Sequence, residues 1–276
     1  MNDLAPFREK IDQLDDQLVK LLNERAEVAL QIGAMKEKAG LPVYAPEREE
    51  MLLRRIEKKN AGPLRHESLR AIYREIMSAS LSLEKDLKVV CAGGRGGMAH
   101  LAALSKFGSS LQYVFREQVR DVFLRVETGE ADCGVVLLKS AERGIEKATM
   151  ECFAKSKAVI LAEIRLGEGE KKDRFFVIGK GPCRPSGNDR SLVLVRIKKL
   201  LDLHSHAVEP FLRRSISLPE VESTFLSGED GECLCLLEPE GCESVLLSSA
   251  LLEELKERCL EVRVLGSFPK LGAAGP

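Results

Sequence analysis

The sequence predicts a multidomain α + α/β chain: three helices, then a single α/β lobe, then a small βαββαβ unit. Three observations carry this. Apolar residues recur at three-and-four spacing through the first 39 positions, the mark of a buried helical stripe. At Leu87 the pattern changes to short apolar runs alternating with helical stretches, which argues α/β. After a Pro-, Gly- and Ser-rich stretch at 182–188 it changes again, to strand, helix, strand, strand, helix and strand.

The first helix spans residues 3–39. Leu4, Phe7, Ile11, Leu14, Leu18, Leu21, Leu22, Val28, Ala29, Ile32 and Met35 form its stripe. Pro6 sits in the first turn, where a missing N–H is harmless, and Gly40 with Pro42 ends the run. A helix of ~36 residues is about 54 Å long. Such a length needs a partner helix alongside it. Arg25 and Lys36 fall within ~20° of one face and roughly 16 Å apart, so they could flank a small dianion. Arg8 lies about 25 Å from Arg25 and ~100° round the axis. It serves such a pocket only if a second copy of the chain supplies it. A lone Lys or Arg in so charged a chain is most often a solvated surface group.

The second helix covers 46–59, with Glu47 and Glu49 in its first turn, where the helix dipole favours acids. The segment 60–63 (Asn-Ala-Gly-Pro) stops it. The third covers 67–86 and places Ser80 and Glu84 on one face. Then LKVVCA reads as a strand, GGRGG as a loop and MAHLAALSKF as a helix. A strand at 112–115, a helix at 118–128 and a buried strand at 133–138 follow. The glycine loop has neither a Walker nor a Rossmann pattern. The last part reads SLVLVRI strand, SHAVEPFLRR helix, VESTFL strand, ECLCLLE strand, SALLEELKERC helix and EVRVLGSF strand, a ferredoxin-like order.

Composition narrows the function classes. The 276 residues suffice for two or three modest domains, and a net charge of −1 gives no global field for nucleic acid or an acidic membrane. No apolar run reaches the ~18–20 residues that span a bilayer, and the N-terminus has no apolar signal core. The eight cysteines, Cys242 among them, show no zinc spacing and suit a reducing cytoplasm. Cys233 and Cys235 share one strand face as buried thiols; His204 and His206 read as loop and cap residues. No metal or cofactor site is expected.

The run FREKIDQLDDQLVKLLNERAEVALQIGAMKEKAGLPVYAPEREEML, followed by IYREIMSASLSLE, closely resembles the all-helical (type II) chorismate mutase family over about residues 4–86. The resemblance implies an intertwined homodimer. Its carboxylate-binding arginines fall on Arg8, Arg25 and Arg48, with Arg8 crossing from the partner. The ether-oxygen donor falls on Lys36, the acid that meets the substrate hydroxyl on Glu49, and the last two site positions on Ser80 and Glu84. Ala45 stands where some members carry an aspartate. Some members have glutamine at the position of Glu84. A carboxylate donates to an ether oxygen only when protonated, so activity is expected to fall as pH rises.

The next part resembles a prephenate dehydratase lobe that keeps its scaffold: Gly93, Gly96, 100–103, 107–108, 122–123, 126–127, 129–132, 134–136 and Arg174-Phe175. The family's substrate-facing polar positions are changed. A loop threonine and serine fall on Gly97 and Ala99, a Glu-Asn-Ser run on Lys139, Ser140 and Ala141, and a catalytic threonine on Asp173. A whole second lobe of the family has no counterpart between Leu166 and Asp173. The last part resembles an ACT regulatory domain, including 185–189, 209–211 and 266–269. Its two phenylalanine-binding segments fall near 204–207 and on Glu222-Ser-Thr-Phe225, the latter without the family's Arg and Pro.

The expected organisation is therefore a chorismate mutase at 1–86, a degenerate dehydratase-like lobe at 87–181 and an ACT-like unit at 187–276. The expected reaction is the pericyclic rearrangement of chorismate to prephenate in aromatic amino acid biosynthesis, which needs no cofactor, with dehydratase activity lost. The alternatives are a bifunctional mutase–dehydratase and a non-enzymatic regulator that binds an aromatic amino acid or a partner enzyme through its ACT-like unit.

Overall fold

In the computed structural model, residues 4–167, 169, 172–226, 231–241 and 249–270 are described; Cys242 and Asp3, the first residue of the expected opening helix, lie outside them. Helix α1 (Ala5–Lys38) is followed by α2 (Pro46–Lys59) and α3 (His66–Glu84). Pro6 and Pro46 each occupy a first turn, where their missing N–H costs nothing. Only the C-terminal half of α1 packs within the chain, against α3, burying Ala29 and Gly33. A Cβ on Gly33 would stand 3.0 Å from the Cα and Cβ of Glu84, so the glycine sets how closely the two helices approach. Residues 4–24 are exposed throughout, apolar stripe included.

The middle part is a six-stranded mixed sheet in the order β2-β1-β3-β6-β5, with the short β4 (Gly144–Ile145) paired to β3. Strands β1 (Lys88–Ala92), β2 (Gln112–Arg116) and β3 (Cys133–Ser140) are parallel. Strands β5 (Val159–Leu166) and β6 (Asp173–Gly179) pair antiparallel to each other, and β6 to β3. Leu166 is in register with Asp173, so the chain turns back at once where the resemblance calls for a second lobe. Alternate residues of β1 face opposite sides. Val89 and Cys91 meet α4 (Met98–Phe107). Val90 meets the side carrying α5 (Val119–Thr128) and α6 (Lys147–Lys155).

The C-terminal part is a four-stranded antiparallel sheet, β10-β7-β9-β8. Its strands are β7 (Asp189–Ile197), β8 (Glu220–Phe225), β9 (Cys233–Glu238) and β10 (Glu261–Pro269). This is the ferredoxin-like strand arrangement. Its central strands β7 and β9 are buried on both faces, which is why they read as unbroken apolar runs, whereas the edge strand β8 exposes alternate residues. Leu192, Leu194, Leu234 and Leu236 join the core containing Val122, Phe153 and Phe176. Val193, Val195, Cys235 and Leu237 pack instead with Phe211, Leu251 and Leu255 from α7 (Glu209–Leu212) and α8 (Ser249–Arg258). The composition change near residue 187 thus marks a change of sheet within one continuous core. Gly266, at φ +130°, lets β10 cross β5: a Cβ there would stand 2.7 Å from the Ile160 carbonyl oxygen.

One expected element is corrected. The single helix over 205–214 is a π-helical turn (His204–Val208) leading into the four-residue α7. Pro210 has no N–H to give to a regular ladder, which accounts for the break. The stretch 141–157 carried no expectation and contains β4 and α6. Among the described residues no helix is long and apolar enough to cross a membrane, and no group of His, Cys, Asp and Glu is placed to hold a metal ion.

Candidate active site

A cavity of about 360 Å³ lies among α1, α2 and α3, closed on one side by the end of α4. Arg25 and Lys36 enter from α1, Arg48 and Glu49 from α2, and Ser80 and Glu84 from α3. Helical periodicity accounts for two of the pairs, Arg25 with Lys36 and Ser80 with Glu84, which each share a helix face. Arg48 and Glu49 are neighbours about 100° apart in the first turn of α2 and reach the cavity from that helix end. Arg8 does not line this cavity; it lies on the exposed half of α1. Ala45, the departing position, does line it and carries no side-chain cap for α2.

The polar groups are interlocked. Arg25 Nη1 donates to Ser80 Oγ, whose own hydrogen goes to the Ile76 carbonyl at 2.8 Å. Lys36 Nζ stands 2.9 Å from Glu84 Oε2 and 2.9 Å from the Val43 carbonyl oxygen. An ammonium has three hydrogens, so one is left for a ligand. Around the wall stand six basic side chains, Arg25, Lys36, Arg48, Arg55, Arg74 and Lys106, against the acids Glu49 and Glu84. Partial burial keeps such an excess from being screened as it would be in water. The cavity suits a compact dianion.

Several lining residues escaped the sequence, Arg55 and Arg74 among them, and two others bear on the chemistry. Tyr44 is 6% exposed, its ring 4.9 Å from that of Phe107, and its buried hydroxyl has no hydrogen-bond partner among the described residues. Burial first, and then the nearby Glu49, push its hydroxyl well above the ordinary tyrosine range. Lys106, from α4, places Nζ 3.0 Å from Glu49 Oε1. Nothing in MAHLAALSKF marks this lysine; a base in the last turn of a helix is ordinary dipole placement.

The positions matched to the dehydratase's polar groups are occupied otherwise. Asp173 Oδ1 accepts from the Ala141 N–H at 2.8 Å. Lys139 pairs with Glu222, which belongs to the segment matched to an effector site. Arg174, 4% exposed, spends its guanidinium on Glu163 (2.6 Å), Glu220 (2.7 Å) and Glu238 (2.6 Å). Glu220 and Glu238 belong to the C-terminal sheet, so this cluster ties the two sheets together.

Comparison with known proteins agrees with the order of parts. The family model "Chorismate mutase type II" matches residues 7–85, and "Prephenate dehydratase" matches residues 89–167, stopping where β5 ends. A bifunctional chorismate mutase/prephenate dehydratase of Aquifex aeolicus is 29% identical over 98% of this chain and 99% of its own length. One of Pseudomonas aeruginosa is 32% identical over 97% of this chain and 98% of its own. The first alignment runs over 357 positions against a chain of 276, so that relative carries inserted sequence which this chain lacks. Among solved structures, a prephenate dehydratase of Streptococcus mutans shares the fold with a TM-score of 0.54, at 24% identity over 66% of this chain and 97% of that one.

Proposed function

Because this chain belongs to the family of bifunctional chorismate mutase/prephenate dehydratases, we propose that it converts chorismate to prephenate and has lost the dehydratase step. Its helical part is a chorismate mutase domain. The observation that carries the proposal is the pairing of Lys36 with Glu84 beside Arg25 and Ser80 in one cationic cavity. Arg25, Arg48 and Arg8 of a second copy clamp the two carboxylates in planar, bidentate fashion. The clamp holds the compact reactive conformer. Lys36 turns its remaining hydrogen, with Glu84 beside it, toward the ether oxygen that gains charge as its bond breaks. Glu49 accepts from the hydroxyl. Ser80 fixes Arg25.

Loss of dehydration is supported by the substitutions at Gly97, Ala99, Lys139 and Asp173, by the direct return from β5 to β6, and by the enclosure of Arg174. Loss of hydroxide needs a donor held at the leaving group, and those positions carry no hydroxyl. The C-terminal sheet has the strand order of an ACT unit. Its part here is to join the chain's layers, since Glu222 is engaged by Lys139.

A second reading is a bifunctional mutase–dehydratase. It is favoured by the match to both family models and by the names of the relatives. The mutase proposal is tested by following the loss of chorismate absorbance with the full chain, with Arg25→Ala as control and L-phenylalanine titrated in. Turnover abolished in the control supports it. No turnover by the unaltered chain at any pH overturns it.

A further inference from the structure

The mutase cavity is not built from the helical part alone. Lys106 and Phe107 come from α4, in the neighbouring α/β lobe. Lys106 Nζ meets Glu49 Oε1 at 3.0 Å, with the two side chains only 15% and 14% exposed. A surface ion pair is commonly worth little. This one lies in the cavity wall, at the carboxylate placed opposite the substrate hydroxyl.

The end of α4 is seated by dedicated contacts. Gly108 follows it at φ +75°, and a Cβ there would fall 2.7 Å from Ser78 Cβ on α3. Ser78 Oγ accepts from the Ser110 N–H at 3.1 Å. Glu75 Oε2 accepts from Ser109 N–H at 3.0 Å and from its hydroxyl at 2.9 Å. Arg74 donates to the Ser105 carbonyl at 3.2 Å. Backbone and side chains on both sides of Lys106 are therefore held against α3, and the lysine is aimed rather than free.

We propose that Lys106 is a positioning residue of the mutase site, supplied by the dehydratase-like lobe to hold Glu49 for the substrate hydroxyl. The proposal rests on the mutase reading of this cavity. Its physical content is a division of charge. Glu49 is a carboxylate lining the same cavity as Arg48, Arg25 and Lys36, which must remain available to a dianion. Left alone, Glu49 would turn to one of those cations and weaken the clamp. Lys106 satisfies Oε1 from outside the clamp, and Oε2, which has no hydrogen-bond partner among the described residues, is left to accept from a hydroxyl. Ala45 adds to the need, because it leaves Glu49 as the acid at that end of the cavity. The degenerate lobe is thereby kept as a wall of the first enzyme.

The test compares full-length Lys106→Met, Lys106→Arg and Gly108→Val with the unaltered chain, measuring kcat, KM for chorismate and melting temperature. Lys106→Met is expected to raise KM about 10- to 100-fold, with a smaller loss of kcat and an unchanged melting temperature. Lys106→Arg restores KM to within a few-fold. Gly108→Val, which pushes α4 from α3, raises KM although Lys106 is intact. In a Glu49→Gln background, Lys106→Met has no further effect on KM, because the two residues act as one unit. Should Lys106→Met fold poorly, Lys106→Gln carries the same test. The proposal is overturned if the Met variant keeps KM within twofold, or if its effect adds fully to that of Glu49→Gln. Failure of the mutase reading is distinct: the unaltered chain would then consume no chorismate.

Discussion

Lys36 commits two of its hydrogens to Glu84 and the Val43 carbonyl, and that geometry makes Glu84 the residue whose chemistry is easiest to question. As an ionised partner Glu84 only accepts; to assist Lys36 at an ether oxygen it must hold a proton. Glu84→Gln, whose amide can donate to an ether oxygen, should keep kcat within about tenfold of the unaltered chain, whereas Glu84→Ala should lower it about 100-fold or more. An Ala variant as active as the unaltered chain would remove Glu84 from the ether oxygen. At this scale the sequence was informative because spacing on regular helices put Arg25 with Lys36 and Ser80 with Glu84 on shared faces, while Arg48 and Glu49 came from the resemblance to the mutase family. Lys106 was silent because its meaning lies in a contact with Glu49 across 57 positions of chain, and no periodicity reports that. Tyr44 was silent for a similar reason: its burial comes from Phe107.

Helix α1 is the element least satisfied by its own chain. Phe7 and Met35 are each 70% exposed, and Ile11, Leu18 and Leu21 more than half exposed. A stripe of this length is covered by a second copy in the proposed intertwined dimer, which also brings Arg8 to the cavity. Co-expression tests this. Arg8→Ala and Arg25→Ala should each be inactive alone. Mixed dimers would hold one intact site, returning about a quarter of normal activity for random pairing. No recovery from well-folded mixed dimers would place Arg8 outside the site. Helix α2 is tied to α3 through Arg70, which pairs with Glu57 and with Glu50 at 3.6 Å. The hydrogen bond from Arg70 is the main cause holding the Glu57 carboxyl below its usual range. A depressed folded pKa stabilises above the ordinary carboxylate range, about 4, and the gain is lost as pH falls through the lowered value. Acid unfolding followed by circular dichroism should therefore be less steep in Glu57→Gln; equal steepness would contradict this. The helices and strands with clear periodicity fell within a few residues of their expected bounds. The π-helical turn at His204–Val208 did not, because one proline decides it against a helical pattern.

At the scale of the whole molecule, the three parts are not beads on a string. Helix α2 touches β10, α4 sits on α3, and the inner face of the C-terminal sheet completes the core of the lobe. Strand order was legible from the βαββαβ alternation; this shared core was not, because a strand buried on both faces does not say what buries it. The Arg174 cluster lies at that junction, with Glu163 and Glu238 2% and 1% exposed. Removing one partner of a buried pair strands the other charges, so Arg174→Met should lower the unfolding free energy by about 3 kcal/mol, read from urea titration. A change below about 1 kcal/mol would show the cluster to be a weak tie. On the proposed reading the chain as a whole is one enzyme braced by the remains of another. The most direct measurement is the product made from chorismate by the purified full chain, with prephenate and phenylpyruvate quantified separately at neutral pH. The account predicts stoichiometric prephenate and no phenylpyruvate beyond the spontaneous rate. Phenylpyruvate formed in proportion to enzyme would contradict it and establish the bifunctional reading.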